Sequence, residues 1–155
     1  RGQRGGKKSM KTVLFVCTGN TCRSPMAACL FNAFCERQGD HRFRAISAGV
    51  QAFPGDPASE GALRAMKRRG LSLWWHRAQP VSSQLLESVA LIVCMSPAHA
   101  EALRRRFPPF SERIRTFSQP IPDPFGGDDA VYEQTACTLE TEIAALYHLL
   151  SAGSF

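Results

Sequence analysis

Val13-Leu14-Phe15-Val16-Cys17-Thr18-Gly19-Asn20-Thr21-Cys22-Arg23-Ser24-Pro25 runs from an unbroken apolar stretch through a polar loop to a proline that opens a helix. Four consecutive apolar residues read as a strand buried on both faces of a parallel sheet. Proline suits the first turn of a helix. Strand, tight loop and helix N-terminus, laid end to end, make an anion cradle. Successive backbone N–H groups turn inward and the helix end adds partial positive charge. A dianionic phosphate fits that cradle. The loop has no Gly-Lys-Ser/Thr, so it is not a nucleotide-binding P-loop.

The side chains add chemistry to binding. Thiolate is the nucleophilic form of cysteine, and the N–H nest, the helix end and Arg23 all favour the anion at Cys17. Arg23 offers a planar fork for two phosphate oxygens. The same fork can hold the equatorial oxygens in the transition state, where most phosphoryl-transfer catalysis arises. Ser24 can hydrogen-bond the sulfur or cap the helix. Gly19 and Asn20 best tolerate the left-handed backbone that a tight loop needs. A cysteine after a strand is commonly a small buried hydrophobe. The whole octapeptide Cys17–Ser24 in this context points instead to phosphoryl transfer through sulfur.

Outward from the loop, strands alternate with helices. Strands are expected at 12–16, 43–47, 90–95 and 114–117. Helices are expected at 25–37, 59–69, 82–88, 97–107 and 129–150, the second capped by Ser59 and the last carrying a stripe of Tyr132, Ala136, Leu139, Ile143, Leu146 and Leu150. This alternation predicts an α/β fold with a parallel sheet and right-handed crossovers. Ligands in such folds bind at the carboxyl ends of the strands, and the first strand ends at Cys17.

With 155 residues and 44% hydrophobic content, the chain suits one domain with one core. No apolar run reaches the ~20 residues of a membrane span. No apolar segment precedes a small-residue cleavage site, so no signal peptide is expected. The formal charge of +6 is concentrated at one end: residues 1–9 hold Arg1, Arg4, Lys7 and Lys8 and no acid. The rest carries fifteen basic against thirteen acidic residues, a weak case for nucleic acid. Residues 1–9 are expected to form a disordered basic tail and residues 10–155 a single domain. The six cysteines include no Cys-x2-Cys pair, which argues against a zinc site. A thiolate nucleophile also implies a reducing compartment, so a cytoplasmic location is expected.

The octapeptide resembles the active-site loop of the low-molecular-weight protein tyrosine phosphatases. Ser47-Ala48-Gly49, His76-Arg77-Ala78 and Asp123-Pro124-Phe125-Gly126-Gly127 resemble the same family, so the likeness extends over most of the chain. Thr21 and the Asp-Pro-Phe-Gly-Gly segment are most similar to the bacterial protein arginine phosphatase branch. The resemblance implies a single-domain, three-layer, flavodoxin-like sandwich on a four-stranded parallel sheet. It implies a phosphorylated protein as substrate and neither cofactor nor metal, membrane or nucleic-acid partner. Thr18, Gly19, Asn20, Thr21, Cys22, Arg23 and Ser24 would bind the phosphate, with Cys17, Arg23 and Asp123 catalytic.

An aspartate before proline is most often a turn residue. The chemistry, however, needs a group to protonate the leaving group and later to activate water, and the resemblance gives both tasks to Asp123. Thr21 stands where tyrosine-specific relatives carry a larger apolar residue, and it is expected to set specificity with Phe125 and Phe53 as cleft walls. His76 and Ser24 would support the loop. One ring of Trp74-Trp75 is expected to be buried. Cys22 can approach Cys17, and oxidation could pair them. The leading reading is phosphoarginine hydrolysis through a phosphocysteine. The alternative is phosphotyrosine hydrolysis. A thiol-dependent arsenate reductase would need further cysteines grouped near the site, and Cys94 and Cys137 are not so placed. A non-enzymatic phosphate-binding module leaves Cys17 and Asp123 unexplained.

Overall fold

The computed structural model describes residues 10–153; the tail expected at 1–9 lies outside the described residues. Four strands, β1 (Lys11–Cys17), β2 (Phe43–Gly49), β3 (Leu91–Cys94) and β4 (Ile114–Thr116), form one parallel sheet in the order β2-β1-β3-β4. Five helices connect and cover them: α1 (Arg23–Arg37), α2 (Glu60–Arg68), α3 (Ser83–Glu87), α4 (Pro97–Arg106) and α5 (Asp129–Ser151). A short 3-10 helix, Pro108–Arg113, precedes β4 where only a proline break is legible in the sequence.

The two-residue period of the strands divides the core into two layers. Val13, Phe15 and Cys17 of β1 face a cluster with Met26, Phe31, Leu139 and Ile143, which belong to α1 and α5. Leu14 and Val16 face the other side, with Leu86, Ile92, Leu103 and Ile114. Phe15 is central to the first layer. Its ring lies 5.8 Å from Phe31, edge-on, and 5.8 Å from Phe117, stacked. Helices therefore cover both faces, which is why β1 reads as a continuous apolar run.

Several boundaries differ from expectation. Helix α1 begins at Arg23, two residues before Pro25, with Cys22 at its cap position and no side-chain cap. Strand β2 continues through Ser47-Ala48-Gly49, whose small residues pair with Phe15, Val16 and Cys17. On α5 the buried stripe passes through Tyr147, while Leu146 is only partly buried. Ser59 caps α2 as expected, accepting the N–H of Ala62.

Candidate active site

Cys17 ends β1, so its position is fixed by the centre of the sheet. The side chain is buried. Its Sγ accepts the backbone N–H of Asn20 at 3.3 Å and lies 2.9 Å from Ser24 Oγ. The Asn20 N–H donates to the sulfur, while the Ser24 hydroxyl also reaches the Ala48 carbonyl at 3.3 Å. Asn20 adopts φ 60°, the left-handed conformation, and it is the loop residue that does so; Gly19 does not. Asparagine tolerates this backbone because its short amide can bond locally.

Asn20 also organises the loop from behind. Its Nδ2 donates to Ser24 Oγ at 2.8 Å and to Ser47 Oγ at 2.9 Å, and its Oδ1 accepts the Gln79 N–H at 2.9 Å. Its backbone carbonyl lies 2.7 Å from His76 Nε2. A carbonyl only accepts, so Nε2 carries the ring proton. Burial lowers the pKa of His76, in keeping with a neutral ring that buttresses the loop. Asn20 and Ser24 thus stand behind the loop as supports. Neither side chain lines the pocket, which is formed by Cys17, Thr18, Gly19, Thr21, Cys22, Arg23, Asp123 and Phe125 around a cavity of 200 Å³.

Gly49 lets β2 pass close under this loop. A Cβ there would lie 2.5 Å from the Thr18 carbonyl oxygen and 3.0 Å from the Asn20 nitrogen, both backbone atoms that cannot swing aside. Gly49→Ala is therefore expected to destabilise the fold by ~1–3 kcal/mol, measured by urea denaturation, and to weaken phosphate binding. An unchanged midpoint and unchanged binding would show that the loop can shift freely.

Arg23, buried at the first turn of α1, points across the pocket. Its Nη1 donates to the Ile121 carbonyl at 3.0 Å, and Nη2 lies 3.7 Å from Asp123 Oδ2. The segment carrying Asp123 is pinned at several points. The Ile121 N–H donates to the Met95 carbonyl at 2.8 Å. Buried Glu142 of α5 accepts the Ser118 N–H and hydroxyl, both at 2.9 Å, and the Gln119 amide at 3.3 Å. Asp123 Oδ1 accepts the Phe125 N–H at 3.2 Å. A half-exposed carboxylate is thus held at the mouth of a pocket whose floor is a thiol.

Phe125 forms one wall and is 72% exposed, free to meet a ligand. Phe53 is 75% exposed but does not line the pocket, so the expected opposite wall is not formed by it. Trp74 and Trp75 are both exposed, contrary to expectation, because Leu73 and His76 take the inward positions of that segment. Trp75 lines a separate groove of 610 Å³ beside β2.

All six cysteines are free thiols. The Cys22 thiol donates to Ser59 Oγ at 3.2 Å and lies 3.3 Å from the Tyr132 hydroxyl. Tyr132 reaches it because α2 presents Gly61 beneath the ring; a Cβ there would be 2.3 Å from a ring carbon. Burial and the Cys22 contact push the Tyr132 hydroxyl up to about 12. Cys94 is buried, its thiol pushed up to about 12 by desolvation, and Cys137 is exposed beside Arg69 and Glu133. Neither lines the pocket, whose thiols are Cys17 and Cys22. Among the described residues no group could hold a metal ion, and no helix is long and apolar enough to cross a membrane.

Among the supports, Gln79, Glu142 and His99, whose Nε2 lies 2.8 Å from Thr18 Oγ1, escape the sequence reading. Each reaches the loop or the Asp123 segment from a distant part of the chain. The motif Ser47-Ala48-Gly49 signalled that β2 matters, but not that Ser47 bonds Asn20.

Comparison with known proteins agrees with this geometry. Residues 12–153 match the family model described as low molecular weight phosphotyrosine protein phosphatase. A protein named protein-arginine-phosphatase from Bacillus subtilis (strain 168) is 36% identical over 135 residues, 83% of this chain and 89% of that one. The low molecular weight protein-tyrosine-phosphatase Ptp of Acinetobacter johnsonii is 32% identical over 140 residues, 86% of this chain and 94% of that one. Among solved structures, a mutant YwlE arginine phosphatase with a phosphorylated active-site serine superposes with a TM-score of 0.86 at 34% identity, covering 90% of this chain and 95% of that one. With its thiol, arginine and aspartate gathered around one phosphate-sized pocket, the chain belongs to the low molecular weight phosphotyrosine protein phosphatase family and is a cysteine-dependent protein phosphatase.

Proposed function

We propose that this chain hydrolyses phosphoarginine in proteins through a phosphocysteine formed on Cys17. The observation that carries the substrate choice is Thr21, which lines the pocket beside Cys17 and opposite no second aromatic wall from Phe53. A threonine gives little apolar contact for a phenol ring and places a hydroxyl near the attacked phosphorus, where it can meet a guanidinium or a water. The name of the Bacillus subtilis relative and the phosphorylated serine of the solved YwlE mutant support the same reading.

In this mechanism the Cys17 thiolate attacks phosphorus and the P–N bond breaks. The departing guanidine nitrogen takes the proton of Asp123. Asp123 then removes a proton from water, which attacks the phosphocysteine. Phosphate leaves and the thiolate is restored. Arg23 and the loop N–H groups hold the equatorial oxygens throughout. Six free thiols fit a reducing compartment, and we place the protein in the cytoplasm.

A second reading, phosphotyrosine hydrolysis, is favoured by the exposed Phe125 ring, which can stack on a phenol. Thr21→Ile distinguishes the two. It adds apolar contact and removes the hydroxyl, and is expected to shift the ratio of phosphotyrosine to phosphoarginine hydrolysis upward by ~10- to 200-fold. The measurement is kcat/KM on both peptides for both proteins. An unmoved ratio removes Thr21 from the specificity role.

A further inference from the structure

No step of the proposed reaction uses His99, yet its imidazole is buried against the phosphate loop. His99 is the third residue of α4, whose cap is Ser96. Its Nε2 lies 2.8 Å from Thr18 Oγ1, and its Nδ1 lies 2.9 Å from Ser96 Oγ. Thr18 follows the nucleophile directly and lines the pocket.

A neutral imidazole can carry its proton on Nδ1 or on Nε2, and the Ser96 hydroxyl is the group that selects between the two. Ser96 Oγ already accepts the backbone N–H of His99 as the helix cap, at 3.4 Å. Its own proton needs an acceptor, and Nδ1 is within reach. The ring proton then sits on Nε2 and is donated to Thr18 Oγ1. Thr18 has received a hydrogen bond on oxygen, so its own proton is left to point elsewhere. Burial and the nearby Arg23 charge, opposed by Asp123, pull the His99 pKa down to about 4. The ring is therefore neutral at pH 7 and carries one ring proton, as this order requires.

We propose that His99 is a positioning residue that sets the rotamer and proton direction of Thr18, so that the Thr18 hydroxyl donates to the bound phosphoryl group. A run of three hydrogen bonds, Ser96 to His99 to Thr18 to phosphate, thereby ties the N-terminus of α4 to the pocket. The inference rests on Cys17–Ser24 being the phosphate cradle of the reaction proposed above, but not on which phosphorylated residue is the substrate.

Its test is the binding of inorganic phosphate, by calorimetry, to the full chain carrying Cys17→Ser. In that background His99→Ala and Thr18→Val are each expected to weaken phosphate by roughly tenfold, the value of one hydrogen bond to a charged group. His99→Gln, whose amide can donate from near the Nε2 position, should recover most of the loss. Thr18→Ser, which keeps the hydroxyl, should bind nearly as the parent does. His99→Ala added to Thr18→Val should cost nothing further, because the residue it acts through is gone. Thr18→Val binding phosphate as well as the parent overturns the proposal, even if the His99 variants fail to fold. Additive losses in the double variant, or a fall in Tm with phosphate affinity unchanged, also overturn it by leaving His99 only a structural role. Failure of the substrate reading would appear separately, as a wild-type protein that binds phosphate but does not cleave phosphoarginine.

Discussion

Cys17→Ser is expected to abolish turnover, by roughly 10⁴-fold or more, while phosphate binding persists. The substitution changes one atom in a site that is otherwise kept. Serine at the end of β1 can still accept the Asn20 N–H and meet Ser24 Oγ, the two contacts that Sγ makes now. The loop, held by Asn20, Ser47, Gln79 and His76, has no reason to move. What is lost is a thiolate, which both attacks phosphorus and leaves it far more readily than a serine oxygen. A hydroxyl is a weak nucleophile without a general base beside it, and Asp123 stands at the pocket mouth where the leaving group departs. Steady-state kinetics with phosphate titration separates the two effects. Residual turnover within tenfold of the parent would mean that Cys17 is not the attacking group.

Asp123→Asn is expected to slow substrates with poor leaving groups by ~10²- to 10⁴-fold and those with good ones far less. Asparagine keeps the shape and can still accept the Phe125 N–H, which the carboxylate accepts at 3.2 Å. The segment should stay in place, because its anchors at Glu142, Met95 and Arg23 do not involve Asp123. The transferable proton is removed, together with the charge that faces Arg23 at 3.7 Å. A series of aryl phosphates of graded leaving-group acidity gives the cleanest reading, since a guanidine leaving group can draw on its own basicity. The slope of log kcat/KM against leaving-group pKa should steepen in the variant. A uniform loss across the series would make Asp123 a structural or electrostatic partner of Arg23, 3.7 Å away, rather than the acid.

What was legible in the sequence follows from the range of the interactions involved. The cradle is local: strand, loop and helix are contiguous, so β1, Cys17 and Arg23 could be read without a partner. Asp123 is singled out by the family resemblance of the Asp-Pro-Phe-Gly-Gly segment, since the turn alone reads as structural. The supports are not local. Glu142 and His99 sit on helices as ordinary polar residues, and only packing shows that Glu142 is buried and that His99 meets Thr18 across 81 positions. Loop conformation was half legible. Glycine and asparagine both permit a left-handed backbone, but only Asn20, with its amide engaged on Ser24, Ser47 and Gln79, is held in it. Trp74 and Trp75 misled for a simpler reason. Large aromatics usually seek the core, but the neighbouring Leu73 and His76 had the inward phase of that segment.

Three peptides of one sequence, bearing phosphoarginine, phosphotyrosine or phosphoserine at the same position, test the central claim most directly. The account predicts that the wild-type protein releases phosphate from the phosphoarginine peptide with the highest kcat/KM, from the phosphotyrosine peptide more slowly, and from the phosphoserine peptide hardly at all. A higher kcat/KM on the phosphotyrosine peptide would contradict it and leave Thr21 as a filler of the loop.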